Sequence, residues 1–269
     1  MNETTTTRSL ALITGAGSGL GAAMAYKLAT AGWRVLVTDL DLNRASAVMA
    51  DLPGEGHRSS VLNITDESHW QAIRDEIERN GEQLKLLINN AGVATAGMTG
   101  ETPLEDWRWV MDIDVMGVVT GCHYFVDHFR AHRAGHIINV ASWAGLAAAP
   151  GIASYGTAKS AVVAFSDMLR AELHNANVHV SVLCPAFVKT DLTSTMRAPD
   201  GRYASRVQRW MEKSGISAED VAELVVKAVE RPRFLLLTHP ETRWQYRIKR
   251  FFPRLYFRLL LRQMAKMGV

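Results

Sequence analysis

Short apolar runs alternate with longer stretches of helical spacing along most of this chain. The runs at 10–14, 34–38, 85–88, 135–141, 178–183 and 234–238 read as strands, as does the more polar stretch around 58–62. Between them, 22–31, 43–51, 66–80, 103–130, 152–175 and 218–230 read as helices. Thr65, Asp66, Glu67 and Ser68 supply capping chemistry for the third of these, and Pro103 suits the start of the fourth. Repeated strand–helix units predict an α/β protein with one Rossmann-like domain over 10–240: a doubly wound parallel sheet with helices on both faces. Ligands in such folds sit at the carboxyl ends of the strands. A polar tail, 1–9, precedes the domain, and a basic amphipathic helical tail, 241–269, follows it. Around 190–215, Met, Arg, Pro, Gly and Ser mix without a clean period, as expected of either a substrate lid or a plain surface insertion.

Composition narrows the class. At 269 residues and 48% hydrophobic, the chain is long enough to bury a large core. Its net charge of +3 is mild and its basic residues gather near the C-terminal end, so nucleic-acid binding is not indicated. Cys122 and Cys184 show no metal-ligand spacing and no disulfide framework, which predicts no metal site and a reducing compartment. The first residues lack an apolar core of the signal-peptide kind, and no apolar run is long enough to span a bilayer, so a cytoplasmic location is expected.

Candidate chemistry gathers at predicted strand ends. The first strand runs into G-A-G-S-G-L-G, Gly15 to Gly21, where glycines permit a tight turn and close approach to a pyrophosphate at a helix N-terminus. The second strand ends in Asp39, where a carboxylate would take both ribose hydroxyls of NAD and repel the 2′-phosphate of NADP. Its rival role is an N-cap for the helix starting near Leu42. Strand four ends in N-N-A-G, Asn89 to Gly92, suited to a turn at a cofactor edge or to a structural turn. Tyr155 and Lys159 are four apart, on one face of a helix, where an ammonium favours the phenolate and tunes the phenol for acid/base work. Ser142, after the fifth strand, would hydrogen-bond a substrate oxygen. The plain alternative for the pair is an exposed helical neighbour contact.

Taken together, T-G-A-G-S-G-L-G, N-N-A-G, Ser142 and Y-x-x-x-K resemble the short-chain dehydrogenase/reductase family across 8–240. The resemblance implies a nicotinamide-dependent oxidoreductase in which Tyr155 is the acid/base. Lys159 would lower its pKa and bind the nicotinamide ribose, and Ser142 would hold the substrate oxygen. It also implies that Gly15, Ser18, Gly19, Leu20 and Gly21 wrap the diphosphate, and that Asn90, Asn63 with Ile64, and Val188 with Thr190 contact the rest of the coenzyme. The chain departs from the family at Asp114, in I-D-V-M-G, where an asparagine usually holds a water of the proton relay; the carboxylate could instead pair with Lys159. Cys184-Pro185-Ala186 replaces the usual Pro-Gly, a smaller disturbance.

NAD is the expected coenzyme, with NADP the alternative, and a small apolar alcohol or ketone the expected substrate. Its pocket walls are expected from Val93 to Met98, from Trp143 to Ala149, and at Phe187, Leu192 and Met196. A catalytically weak nicotinamide-binding sensor or scaffold is the competing class, motivated by Asp114. A homo-oligomer, dimer or tetramer, is also expected. In the tail, Arg243, Arg247, Arg250, Arg254, Arg258, Arg262 and Lys266 recur at helical spacing, with Tyr256, Leu259, Leu260, Met264 and Met267 on another face. That pattern suits peripheral membrane contact through 243–267, or packing on the domain or a second subunit.

Overall fold

The computed structural model describes residues 9–189, 192, 195–199 and 201–267, the side chains of 202, 204, 206, 263, 264, 266 and 267 excepted. Seven strands, β1 Leu10–Ile13, β2 Arg34–Asp39, β3 Arg58–Val61, β4 Leu84–Asn89, β5 Gly135–Val140, β6 Val178–Cys184 and β7 Leu235–Leu237, form one sheet. Its order is β3-β2-β1-β4-β5-β6-β7 and every pairing is parallel. The chain winds outward from β1 to β3, then returns to β4 on the opposite side of β1. Strand order therefore reverses between β1 and β4, which opens a crevice at their carboxyl ends. This is the doubly wound Rossmann-like fold expected from the apolar runs.

The period-two geometry of strands sorts side chains onto two cores. Leu10 and Leu12 join one cluster with Trp70, Ile73, Phe125, Phe129 and Val162; Ala11 and Ile13 join the other with Met24, Leu28, Val221 and Val225. The first cluster is covered by α3 Glu67–Arg79, α5 Gly117–His132 and α7 Ala153–Glu172; the second by α1 Gly19–Thr30, α2 Leu42–Ala50 and α9 Ala218–Glu230. Trp70, Phe125 and Phe129 are fully buried, and each contributes about 2–3 kcal/mol through burial.

Three boundaries differ from the sequence expectation in ways that shape the site. Helix α1 begins at Gly19, because the glycine turn itself winds into the first helical turn. The helix expected over 103–130 is interrupted: α4 Leu104–Met111 is followed by a π-helical turn, Asp112–Met116, before α5. The wider turn carries Asp114 into the interior, where it is fully buried. In the stretch expected to be a lid or insertion, α8 Gly201–Glu212 forms, and Arg197 ties the preceding loop to the body. Its backbone exchanges hydrogen bonds with Ala94 and Ala96, and its guanidinium pairs with Asp106 at 3.1 Å and stacks on Trp109. A short α6, Ala144–Ala147, follows β5; α10 Pro240–Phe251 and α11 Pro253–Met267 close the chain.

Candidate active site

The crevice is built first by the loop after β1. Gly15 adopts φ 61, a left-handed conformation that favours glycine, and an added Cβ would stand 2.8 Å from the Ala91 backbone. At Gly21 a Cβ would collide with the Gly15 carbonyl. The loop is knitted to the turn after β4: Thr14 Oγ1 accepts from the amides of Asn90 and Ala91, both at 2.9 Å. The Asn90 side-chain amide donates to the carbonyls of Thr14 and Gly15 at 2.8 and 3.1 Å. Asn90 therefore braces the glycine loop as well as lining the crevice. Thr14 stands first in the glycine-turn motif, but no role was assigned to its side chain from the sequence. At the start of α1, Ser18 has extended backbone and makes no side-chain cap, so the first helical amides face the crevice without one.

Asp39 sits at the end of β2 on the crevice rim. Its carboxylate accepts from the Gly17 amide at 3.0 Å and the Asp41 amide at 3.1 Å. The N-cap role considered for Asp39 belongs instead to Asp41, whose side chain accepts from Asn43 and Arg44. Arg44 and Leu40 join the same rim. Asn63 and Ile64 line the opposite wall; Asn63 Oδ1 accepts from Thr65, and the Ile64 carbonyl accepts from the Trp70 indole at 3.0 Å. Val188 is buried at the far end, and Thr190 lies outside the described residues.

Beneath this crevice lies a buried charged cluster. Lys159 Nζ stands 3.1 Å from Asp114 Oδ2, donates to the Val140 carbonyl at 3.2 Å, and lies 5.8 Å from the Tyr155 ring centre. Asp114 Oδ1 accepts from the Val93 amide at 2.8 Å. The Oδ2 contact with Lys159 is an ion pair poorly aligned for a hydrogen bond, so that oxygen keeps lone pairs to offer. Gly92 sits close beside the pair: a Cβ there would lie 3.0 Å from Asp114 Oδ1 and 3.2 Å from Lys159 Nζ, so the pair would have to shift by a few tenths of an ångström. Burial, the largest single effect, lowers the Lys159 pKa, but Asp114, Tyr155 and Cys184 together outweigh it and raise it, so Lys159 stays a cation. Burial raises the Tyr155 pKa; Lys159 lowers it, Asp114 raises it further, and the Ser142 hydroxyl lowers it by hydrogen bonding. Ser142 Oγ also accepts from the Ala144 amide at 3.1 Å. Tyr155, Lys159, Ser142 and Asp114 thus converge from α7, the end of β5 and the π-helical turn.

The crevice has a volume of about 390 Å³ and is lined at one end by the glycine loop and Asp39, at the other by Ser142, Tyr155 and Lys159. Pro185 and Ala186 form part of the wall. Of the expected substrate walls, Val93 and Leu192 line the crevice. The stretches from Ala94 to Met98 and from Trp143 to Ala149, Phe187 and Met196 are not among its described lining: Ala94, Thr95, Ala96, Ala144, Leu146 and Ala147 are buried, and the Phe187 ring centre lies 5.0 Å from that of Trp210. Met211 of α8 lines it instead, a residue that nothing in the local pattern marked.

Residues 9–201 match the family described as short chain dehydrogenase. This chain belongs to the short-chain dehydrogenase/reductase family. A short-chain dehydrogenase/reductase from Burkholderia phymatum, solved in complex with NAD, shares 33% identity, covers 92% of this chain and 95% of its own, and superposes with a TM-score of 0.84. The CLA biosynthesis dehydrogenase/reductase of Lactiplantibacillus plantarum is 31% identical over 85% of this chain and 87% of its own length. The probable oxidoreductase EphD of Mycobacterium tuberculosis is 30% identical over 91% of this chain, which spans only 43% of that longer protein.

The coenzyme of such a family member fits the residues present. Gly15 and Gly21 let the loop pack tightly on its own backbone and on the turn after β4, Ser18 leaves the first amides of α1 without a side-chain cap, and Asp39 stands at the rim with Arg44 beside it.

Proposed function

We propose that this short-chain dehydrogenase/reductase interconverts an apolar secondary alcohol and its ketone with NAD(H), using Tyr155 as the general acid/base. The observation that carries this reading is the convergence of Tyr155, Lys159 and Ser142 at one end of a crevice whose other end holds the glycine loop and Asp39. Gly15, Ser18, Gly19, Leu20 and Gly21 would hold the diphosphate and Asp39 the ribose hydroxyls. Asn63 and Ile64, Asn90, and Val188 with Thr190 would touch the remaining parts. When bound, the nicotinamide exchanges hydride with the substrate carbon. Tyr155 then takes or returns the hydroxyl proton, Ser142 holds the same oxygen, and Lys159 keeps a positive charge beside the phenol.

A 2′-phosphate would meet the Asp39 carboxylate, which favours NAD over NADP. The weak-turnover reading has one observation behind it: Asp114 adds a negative charge that works against the phenolate. We also propose a homo-oligomer in a reducing, cytoplasmic setting, consistent with Cys122 and Cys184 both being free and buried. A panel of cyclic and long-chain secondary alcohols and their ketones, assayed with both coenzymes, tests the function. Turnover of apolar members with NAD(H) supports it; coenzyme binding with no turnover across the panel favours the sensor and refutes the proposal.

A further inference from the structure

The last two helices carry side chains that the fold does not use. Trp244, Phe251, Phe252 and Phe257 are between 58% and 69% exposed, and Leu255, Leu259 and Leu261 are also exposed. Along α11 only Tyr256 and Leu260 are partly covered among the residues whose side chains are described. Arg243, Arg247, Arg250, Arg254, Arg258 and Arg262 are all exposed, and no described carboxylate lies within 4.0 Å of them. The Arg247 guanidinium lies 5.3 Å from the Trp244 ring centre. No acidic residue follows Glu241.

Charge decides between occupants. A second copy of the same surface would set six exposed arginines against six, with Glu241 at the start of α10 the one acidic side chain the tail could place between them. An anionic bilayer supplies the missing negative charge and takes the aromatic and aliphatic side chains in the same contact. Among the described residues, no helix is long and apolar enough to cross a membrane, so α11, 15 residues long, would lie along the surface.

The tail is also braced on the core beside the active site. Lys249 Nζ donates to the Leu146 carbonyl at 2.5 Å and the Tyr256 hydroxyl donates to the Ala147 carbonyl at 2.8 Å. Both carbonyls end α6, which begins two residues after Ser142. Gly145 of α6 packs so closely on the Lys159 backbone that a Cβ would lie 2.6 Å from it.

We propose that α10 and α11 form a docking surface for an anionic phospholipid bilayer, holding the oxidoreductase at the membrane by its active-site side. Lipid-phase apolar substrates would then reach the crevice across a short distance. The docking claim does not rest on the substrate proposal, because it is read without turnover.

Full-length protein is sedimented with vesicles of phosphatidylcholine and phosphatidylglycerol (3:1) or of phosphatidylcholine alone. Pelleting with the mixed vesicles at low salt, release at high salt, and weak pelleting with the neutral vesicles are expected. The double variant Phe257→Ser/Leu261→Ser and, separately, Arg254→Gln/Arg258→Gln should each lose about tenfold or more in binding, with coenzyme affinity and circular dichroism unchanged. The second variant alters only exposed charge, so it carries the test if the first misfolds. Wild type remaining in the supernatant at low salt overturns the proposal. So does a folded variant that pellets like its parent, or one whose solution mass, measured without lipid by light scattering, drops to a smaller oligomer, which would make the tail a subunit contact.

Discussion

Replacing Asp114 by asparagine alters the charge of the site with little change in shape. Asp114 is fully buried and its Oδ2 stands 3.1 Å from Lys159 Nζ. At that separation, with an effective dielectric near 20, the pair is worth about 5 kcal/mol of gross Coulomb energy, most of it offset by desolvation of both ions. Asparagine can keep the acceptor for the Val93 amide, and Lys159 keeps the Val140 carbonyl. A net loss of about 1–3 kcal/mol is therefore expected, against about 3–5 for Asp114→Ala, which also strands the Val93 amide. The charge effect on catalysis has a definite sign. Asp114 raises the Tyr155 pKa, so its removal lowers it, and the phenolate forms at lower pH. The limb of alcohol oxidation that requires a base should move toward acid, and oxidative turnover at neutral pH should rise several-fold. Lys159 gives a second sign: its folded pKa is raised above 10.5. The stability from that shift is present below 10.5 and lost as pH rises through the folded value, and the asparagine variant should lose less of its stability there because it has less to lose. The assay is kcat/KM against pH, with urea melts from pH 7 to 11. If the variant folds and its pH–rate profile overlays the parent's, Asp114 is a structural partner of Lys159 and is not coupled to Tyr155.

Tyr155→Phe should lower kcat by about 10²–10⁴ with coenzyme affinity within about threefold of wild type; turnover within tenfold of the parent would remove Tyr155 from acid/base work. Asp39→Ser should cut the NAD-over-NADP ratio of kcat/KM by about tenfold or more, and equal efficiencies in the parent would show that Asp39 does not face the ribose. Gly21→Ala, whose Cβ would collide with the Gly15 carbonyl, should cost about 1–3 kcal/mol and weaken coenzyme binding, and an unchanged melt with unchanged affinity would contradict the packing seen here. His136 is buried against Ser181, and burial, helped by His179, pulls its pKa from 6.5 to about 3. The unfolded chain takes that proton near 6.5 and the fold does not, so each pH unit below 6.5 should favour unfolding by about 1.4 kcal/mol. Urea midpoints should fall less steeply with acid in His136→Gln, and parallel curves would show that His136 is not the acid-sensitive group.

The sheet and its crevice were legible in the sequence because the central strands, covered on both faces, are mostly apolar, and the glycine turn follows the first of them directly; β3, at the edge, is polar and half-exposed. Expected and observed strands agree within about two residues at each end. What escaped was decided by contacts distant in sequence. Nothing in the local period of 103–130 marks the π-helical turn, since the residue that needs it, Asp114, has its reason in Lys159, 45 positions away. Asp39 and Asp41 are alike in type and two residues apart, so only the backbone course separates rim from cap. Ala144, Leu146 and Ala147 have a composition that serves a pocket wall or a core equally well. They are core, with α10 and α11 hydrogen-bonded to the end of the same turn.

The π-helical turn and α6 meet at one residue. Lys159 has Asp114 against its ammonium and Gly145 against its backbone, so both the charge and the position of the cation depend on elements outside its own helix. A carboxylate alone would hold Lys159 protonated yet oppose the phenolate, since the same negative charge acts on both groups. The Asp114–Lys159 separation depends on where the Lys159 backbone sits, and Gly145 of α6 packs directly against that backbone. The contacts of Lys249 and Tyr256 with the end of α6 therefore bear on the acid/base pair, even though neither side chain lines the crevice. A tail that served only as a surface anchor would leave the Tyr155 pH profile untouched when Tyr256→Phe removes its hydroxyl; a brace on α6 would move that profile while leaving vesicle binding intact.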